Sequence, residues 1–263
     1  MAVGFLCRDG VVIGADTQVT GANYTFPECK LINFEWKNGS GILAYSGDRD
    51  TFVAFSAELR SRLPDDANLT DQEIRNVLKE CLAVSVEKKK AFLTIMGYWI
   101  DGERFPCLVM STTTQRIIDV ADCEVIGYAD SPLARSCLGR FRALSHRVSV
   151  QQARLFAVDF ISQAKNYDGQ YVGGNIDLYS ISDDPRIPSV DGSAIVREGK
   201  YTHLITSGTD EWERELERIK LAFDLSFCSL IDLDEEPSLS HLTGSAKSFR
   251  FWLTGKSTHG DHS

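Results

Sequence analysis

The sequence lacks the marks of several protein classes. No run reaches the roughly 18 consecutive apolar residues that a membrane-spanning helix requires, so no membrane partner is expected. Arg8 and Asp9 arrive before an apolar leader core could form, so no secretory leader is expected either. Positive charge is in deficit: 28 Lys and Arg against 37 Asp and Glu leave −9 at pH 7. That balance argues against nucleic acid as a main partner. The seven cysteines are odd in number and scattered, with no Cys-x-x-Cys, which fits reduced thiols in a cytoplasm. The five histidines are equally dispersed, and His259 and His262 fall near the C-terminus. Metal-ligand spacing is therefore missing, and neither a metal site nor a cofactor is expected. The seven prolines form no Pro/Ser-rich linker, and there are no internal repeats or low-complexity tracts.

What is present is a 263-residue chain, 43% hydrophobic, long enough to bury one sizeable core. Its most informative stretch is Asp9-Gly10-Val11-Val12-Ile13-Gly14-Ala15-Asp16-Thr17. An apolar strand, Ala2 to Leu6, enters an Asp9-Gly10 hairpin turn, and a second, Val11 to Ala15, leaves it and ends in the carboxylate of Asp16. Lys30 follows, and then an apolar strand, Ile42 to Tyr45, that runs into Ser46-Gly47-Asp48. An acid, a lysine and a glycine turn thus lie close in sequence to the first residue.

The remaining pattern alternates strands and helices. Gln18 to Glu28 reads as a polar turn region. Leu31 to Phe34 and Gly41 to Tyr45 form a strand pair around Asn38-Gly39. Asp48 to Leu63 is helical by the spacing of Phe52, Phe55, Leu59 and Leu63, and Pro64 stops it. Thr70 to Glu73 is a capping box that opens the next helix. Strands are expected at 93–100, 106–111, 116–120 and 123–126. Ser131-Pro132 opens a helix to about Phe141, and Ser149 to Gln152 is a second capping box. Closing strands are expected over 174–181 and 193–197, and a last helix over 209–223.

The hairpin, Lys30, Ser46-Gly47, Asp168 and Gly173-Gly174-Asn175-Ile176-Asp177-Leu178-Tyr179 together resemble the N-terminal nucleophile hydrolases of the proteasome type. That family comprises the 20S core β-subunits and their bacterial relatives. The likeness covers residues 1–225 and leaves 226–263 as a C-terminal extension that straps the same subunit or contacts a neighbour. The resemblance implies an α+β fold, a four-layer αββα sandwich with the proteasome-subunit topology. It also implies homo-oligomeric rings, peptide or unfolded-protein substrates, and an ATPase unfoldase that feeds the ring.

In that family the first residue of the mature chain is a nucleophilic Thr. A hydroxyl is a poor nucleophile without a nearby base. The α-amine, which titrates near 8, can take the proton, and an adjacent ammonium holds that amine neutral. The resemblance gives Lys30 the role of that ammonium and Asp16 the role of its anchor. Gly47 matches the position whose N–H stabilises the oxyanion. Asp168 matches an acid that hydrogen-bonds near the amine.

Three positions depart from the pattern. The nucleophile falls one place before Met1, and neither Met1 nor Ala2 carries one; Val172 and Tyr128 stand where the family has serines. Two expectations follow: a threonine peptidase whose Thr precedes Met1, or a non-catalytic structural subunit. A rival is a small-molecule amidase or binding module on the same fold, with Tyr128 narrowing the cleft. Cys7 reads as an inert buried thiol, and Cys29 as pointing away from Lys30 across its strand. Ser46 reads as a helix cap rather than a nucleophile, and no histidine falls near Ser46, Asp16 or Asp168 to form a triad.

Overall fold

The computed structural model describes residues 1–20, 25–85, 92–103, 106–128, 131–144, 148–182, 195–198 and 201–206. They belong to the first of two units, Met1–Glu217 and Arg218–Ser263. The helix expected over 209–223 and the extension 226–263 lie outside the described residues.

Two strands, β1 (Ala2–Cys7) and β2 (Gly10–Asp16), open the chain, and a short ribbon, β3 (Gln18–Thr20) and β4 (Thr25–Pro27), follows. Next come β5 (Leu31–Trp36), β6 (Gly39–Gly47), and the helices α1 (Arg49–Arg62) and α2 (Asp71–Ser85). Then β7 (Phe92–Ile100), β8 (Cys107–Ser111), β9 (Ile117–Asp119) and β10 (Cys123–Ile126) lead to α3 (Pro132–Leu144) and α4 (Val150–Tyr167). The described part closes with β11 (Ile176–Ser182), β12 (Ile195–Glu198) and β13 (Tyr201–Thr206). One sheet has six strands in the order β10-β1-β2-β11-β13-β12, another five in the order β5-β6-β7-β8-β9, and β3-β4 stands alone. Every pairing in these sheets is antiparallel.

This corrects the expected four-layer αββα sandwich. The described residues form a mostly antiparallel, sheet-rich fold of thirteen strands with only four helices. The physical reason is that the succession of elements along a chain does not count layers; strand pairing does, and here pairing carries most of the ordered backbone. The short ribbon and β13 were not expected, because three-residue polar strands and a strand of mixed polarity give little periodic signal.

Local chemistry explains the elements that place the site. The hairpin turn falls one residue earlier than Asp-Gly suggests: Cys7 is in register with Gly10, which leaves Arg8 and Asp9 in the loop. Gly10 is a ladder position with no room, since a Cβ there would stand 2.1 Å from the Ile181 carbonyl oxygen and 2.5 Å from Val150 Cγ2. All seven residues of β2 are buried. Val11, Ile13 and Ala15 join Ile42, Ala44 and Ile95 in one apolar cluster, while Gly14 lies against Ala157 and Ile161 of α4. A second cluster joins Phe52, Phe55 and Leu59 of α1 and Ile74 and Leu78 of α2 to Leu43, Tyr45, Met96 and Tyr98.

Asp48 caps α1 by accepting from Thr51 N at 2.8 Å, so the capping role expected of Ser46 belongs to Asp48. Thr70 and Glu73 exchange hydrogen bonds at the start of α2, as Ser149 and Gln152 do at α4. Asn38 ties the β5–β6 turn to Leu69 through both its carboxamide atoms, at 3.1 and 2.8 Å. No helix among the described residues is long and apolar enough to cross a membrane.

Gly10→Ala is expected to destabilise the protein by about 1–3 kcal/mol, because the new methyl meets backbone that cannot move aside. Urea unfolding of the two proteins measures it, and an unchanged midpoint would contradict the close approach.

Candidate functional site

The site forms where β2 stops. Asp16 is its last residue and is fully buried. In the antiparallel ladder Ala2 faces Ala15, which brings Met1 alongside Asp16, and the Met1 α-amine ion-pairs with the Asp16 carboxylate. Lys30, immediately before β5, comes from the other sheet and donates its Nζ to Asp16 Oδ1 at 2.9 Å. The second carboxylate oxygen accepts two main-chain amides, Gln18 N at 3.1 Å and Gly173 N at 3.2 Å. One buried acid therefore receives the Met1 amine, the Lys30 ammonium and two main-chain amides. The Lys30 side chain is 7% exposed and that of Asp16 0%, so this pair is desolvated and its geometry matters.

Burial pushes the Met1 α-amine down to about 6 from 8.0, with Lys30 acting in the same direction and Asp16 opposing it. Desolvation outweighs the ion pair, so at neutral pH this amine is chiefly an unprotonated base beside an ammonium. That arrangement suits accepting a proton from a neighbouring hydroxyl.

Gly47 closes β6 with φ of 118°, a backbone conformation that favours glycine, and it is exposed. Its neighbour Ser46 sits against Gly127: a Cβ on Gly127 would stand 1.9 Å from Ser46 Oγ and 3.6 Å from Met1 Cα. The end of β6, the Gly127 turn and the start of β1 thus meet at one place. Asp168 is the C-cap of α4, and its carbonyl accepts Tyr171 N at 3.0 Å and Val172 N at 3.1 Å. Among the described residues its carboxylate makes no hydrogen bond or ion pair. It shapes the loop that delivers Gly173 to Asp16 instead of touching Lys30.

Two groups of neighbours escaped sequence reading. Gln18 donates from Nε2 to the Gln170 carbonyl at 2.9 Å and packs where a Cβ on Gly173 would stand, locking the glycine loop onto β3. Thr17 Oγ1 accepts Asn175 N at 2.7 Å in the same lock. Asp177, 4% exposed on β11, is in register with Ala15. Its signals in the sequence are an acid inside the strand Ile176–Ser182 and its place in the stretch after Gly173-Gly174. Burial, the main cause, pushes the Cys29 thiol up to about 12, and it holds Cys7 well above the usual range. Neither is a ready nucleophile. Among the described residues no His, Cys, Asp and Glu gather into a metal-holding group.

Asp16→Ala is expected to cost about 3–5 kcal/mol, because it strands a buried Lys30 ammonium; urea unfolding against Asp16→Ala with Lys30→Met tests it, since the double variant should recover part of the loss. In protein whose first residue is Met1, the α-amine gives a pH dependence. Its folded pKa is about 6 and its unfolded value 8.0, so the unfolded chain holds a proton that the native chain lacks between them. Stability from this group therefore rises with pH across that window, by about 2–3 kcal/mol, and is lost as pH falls through it. Unfolding midpoints at both ends of the window read the difference.

No protein-family model and no curated protein matches this chain. Solved structures do. The Anbu protein of Hyphomicrobium sp. strain MC1 is 18% identical over 90% of this chain and 99% of that one, with a TM-score of 0.65. Anbu (ancestral beta-subunit) from Yersinia bercovieri is 16% identical over 90% and 98%, TM-score 0.64. A helical assembly of the Anbu complex from Pseudomonas aeruginosa contains a chain 17% identical over 90% and 98%, TM-score 0.63. These matches correct the resemblance to the proteasome-type N-terminal nucleophile hydrolases, the 20S β-subunits and their bacterial relatives: the fold is that of the Anbu proteins, a proteasome-like fold.

Proposed function

We propose that this chain is a subunit of a homo-oligomeric, proteasome-related assembly, and that its site hydrolyses peptide bonds with a threonine placed before Met1. The observation that carries this reading is the buried Asp16 carboxylate, which holds Lys30 Nζ at 2.9 Å beside the start of β1. A hydroxyl delivered there meets an ammonium that lowers its pKa and an amine that takes its proton. Attack on a peptide carbonyl forms an ester and expels the amine half of the substrate, which takes the proton; water then cleaves the ester. The Gly47 N–H is assigned to the oxyanion, and Asp168 to the loop beside the amine. Peptides or unfolded proteins are the substrates, and an ATPase unfoldase is a partner. The helical assembly formed by the Pseudomonas aeruginosa Anbu complex supports the homo-oligomer. Residues 1–225 are assigned to the subunit body, 226–263 to an extension, and the location to the cytoplasm.

One observation favours a second reading, a structural subunit without peptidase activity. In protein whose first residue is Met1, that residue is 4% exposed and its amine pairs with Asp16, which fills the place beside Lys30 without a hydroxyl.

The deciding experiment is the intact mass and N-terminal peptide sequence of protein purified from its own cells. A Thr before Met1 is expected, with peptide hydrolysis that falls at least ~100-fold in Lys30→Ala. A chain starting at Met1 or Ala2 would overturn the threonine mechanism and leave the structural subunit. Native mass decides the class: a particle many times the 29.3 kDa chain fits either subunit reading, whereas a monomer or dimer favours the small-molecule amidase or binding module.

A further inference from the structure

Two buried polar side chains on the α4 side of the six-stranded sheet have no task in the reaction above. Ser180 of β11 is 1% exposed, and its hydroxyl meets no hydrogen-bond partner. Arg154 of α4 is 5% exposed and, among the described residues, makes no ion pair or hydrogen bond. Burial holds its guanidinium down at about 10, which leaves it charged at neutral pH.

The way α4 lies on the sheet makes these two neighbours. At one end of the contact, a Cβ on Gly10 would stand 2.5 Å from Val150 Cγ2. At the other, a Cβ on Gly14 would stand 3.1 Å from Ile161 Cδ1 and 3.4 Å from Ala157 Cβ. The helix and β2 therefore run in the same direction, and the turn that carries Arg154 lies over the step midway between Gly10 and Gly14. That step is Val12, and Ser180 is its partner in the ladder. Ser180 shares a face with Leu178, two residues before it, and Leu178 meets Gly14 on the α4 side. Phe156 fixes which flank of the helix is which, because its ring meets Phe5 of β1 and Phe141 of α3, each at 5.8 Å. Arg154 stands about 160° round the helix from Phe156. It is thus on the opposite flank, where β11 lies.

A guanidinium and a hydroxyl, both buried and both without partners, are in this way set side by side in the α4–β11 contact. The acids close by in the fold are engaged elsewhere. Asp9 accepts Val150 N at 2.8 Å, and Asp159, on another face of α4, accepts Gln163 Nε2 at 2.7 Å. A buried cation without an anion costs several kcal/mol. A guanidinium presents a planar fork of donors that takes an oxyanion in two-point contact, and a hydroxyl beside it adds a further donor.

We propose that Arg154 and Ser180 form a binding site for a small oxyanion, of the phosphate or carboxylate class, held between α4 and β11. The Val12–Ser180 step is four residues along β2 from Asp16, so the site is separate from the groups assigned to peptide hydrolysis and does not rest on that reading. An anion bound there ties α4 to the sheet.

Titration calorimetry and urea unfolding of the full-length protein test it, with inorganic phosphate and with acetate, at an ionic strength held constant by chloride. Saturable binding of at least one of the two is expected in the wild type, with a rise in the unfolding midpoint; which one binds identifies the class. Arg154→Met keeps a similar stem and removes the charge, and is expected to weaken binding at least ~10-fold. In chloride alone its midpoint is expected to equal or exceed that of the wild type, because an unpartnered buried charge has gone. Ser180→Ala is expected to weaken binding several-fold and to leave the chloride midpoint unchanged. Phosphate also stabilises proteins by exclusion from their surface, an effect that wild type and Arg154→Met share. Absence of saturable binding of either anion to the wild type would overturn the site, and so would equal binding by Arg154→Met. An Arg154→Met protein that is much less stable, or does not fold, would overturn it too, because the guanidinium would then be paired within the chain. The wild-type titration needs no variant to fold. Binding is read without hydrolysis, so an inactive protein that binds the anion sinks the peptidase reading alone, and an active one that does not bind sinks the site alone.

Discussion

One carboxylate organises this end of the molecule. Asp16 gathers Met1 just ahead of β1, the lysine ahead of β5, the amide that opens β3 and the amide of Gly173. These groups come from both large sheets, the small ribbon and the loop after α4. A buried anion is tolerated only when its lone pairs are filled and its charge balanced. The requirement runs both ways: Asp16 needs its donors, and the segments that carry them are held in place because Asp16 is there.

The charge balance follows from burial. Two cations on one carboxylate would leave a net positive charge in a place that water does not reach. In protein whose first residue is Met1, the α-amine resolves this by giving up its proton, and its pKa falls to about 6 although its partner is an anion. Lys30 retains the carboxylate because its long stem lets the head group reach Asp16 while the residue itself starts on another sheet. One ammonium, one carboxylate and one neutral amine is the arrangement in which a hydroxyl can lose its proton without a histidine. The state of the amine therefore depends on how thoroughly the end of β2 is buried, which is a property of packing on both faces of that strand, between Ile42 and Ile95 on one side and α4 on the other.

Much of this was legible where the signal is local. The hairpin over 2–16, the capping boxes at Thr70 and Ser149 and the helix that Pro64 ends are read within a few residues, and the described elements follow them. Lys30 and Asp16 stood out because a strand that ends in an acid, with a lysine close behind, is visible in one line of sequence. What needed long-range register was not legible. The place of Asp177 beside Ala15 depends on β11 lying beside β2, a pairing more than 150 residues apart in the chain. Asp168 was assigned to the site from its place before the glycines, yet the cap of α4 turns its backbone, not its carboxylate, to use. The layer count failed for the same reason, since it was inferred from element order and not from pairing.

The construction of the Asp16 cradle bears on how such a site survives sequence change. Two of its four donors are main-chain amides, positioned by the β3 ribbon and a glycine loop, and a third is the nitrogen of Met1. Only substitution by proline removes a backbone N–H, so most of the cradle asks little more than that the strands stay in register. Hydroxyls offered by side chains have no such protection. At Tyr128 and Val172 this chain carries residues that cannot serve as small hydroxyl donors, while the amide geometry around Asp16 is intact. A fold shared at 16–18% identity is what that division permits. In this chain the anchor is built mainly by the backbone, and what differs beside it is set by the few side chains that the backbone does not supply.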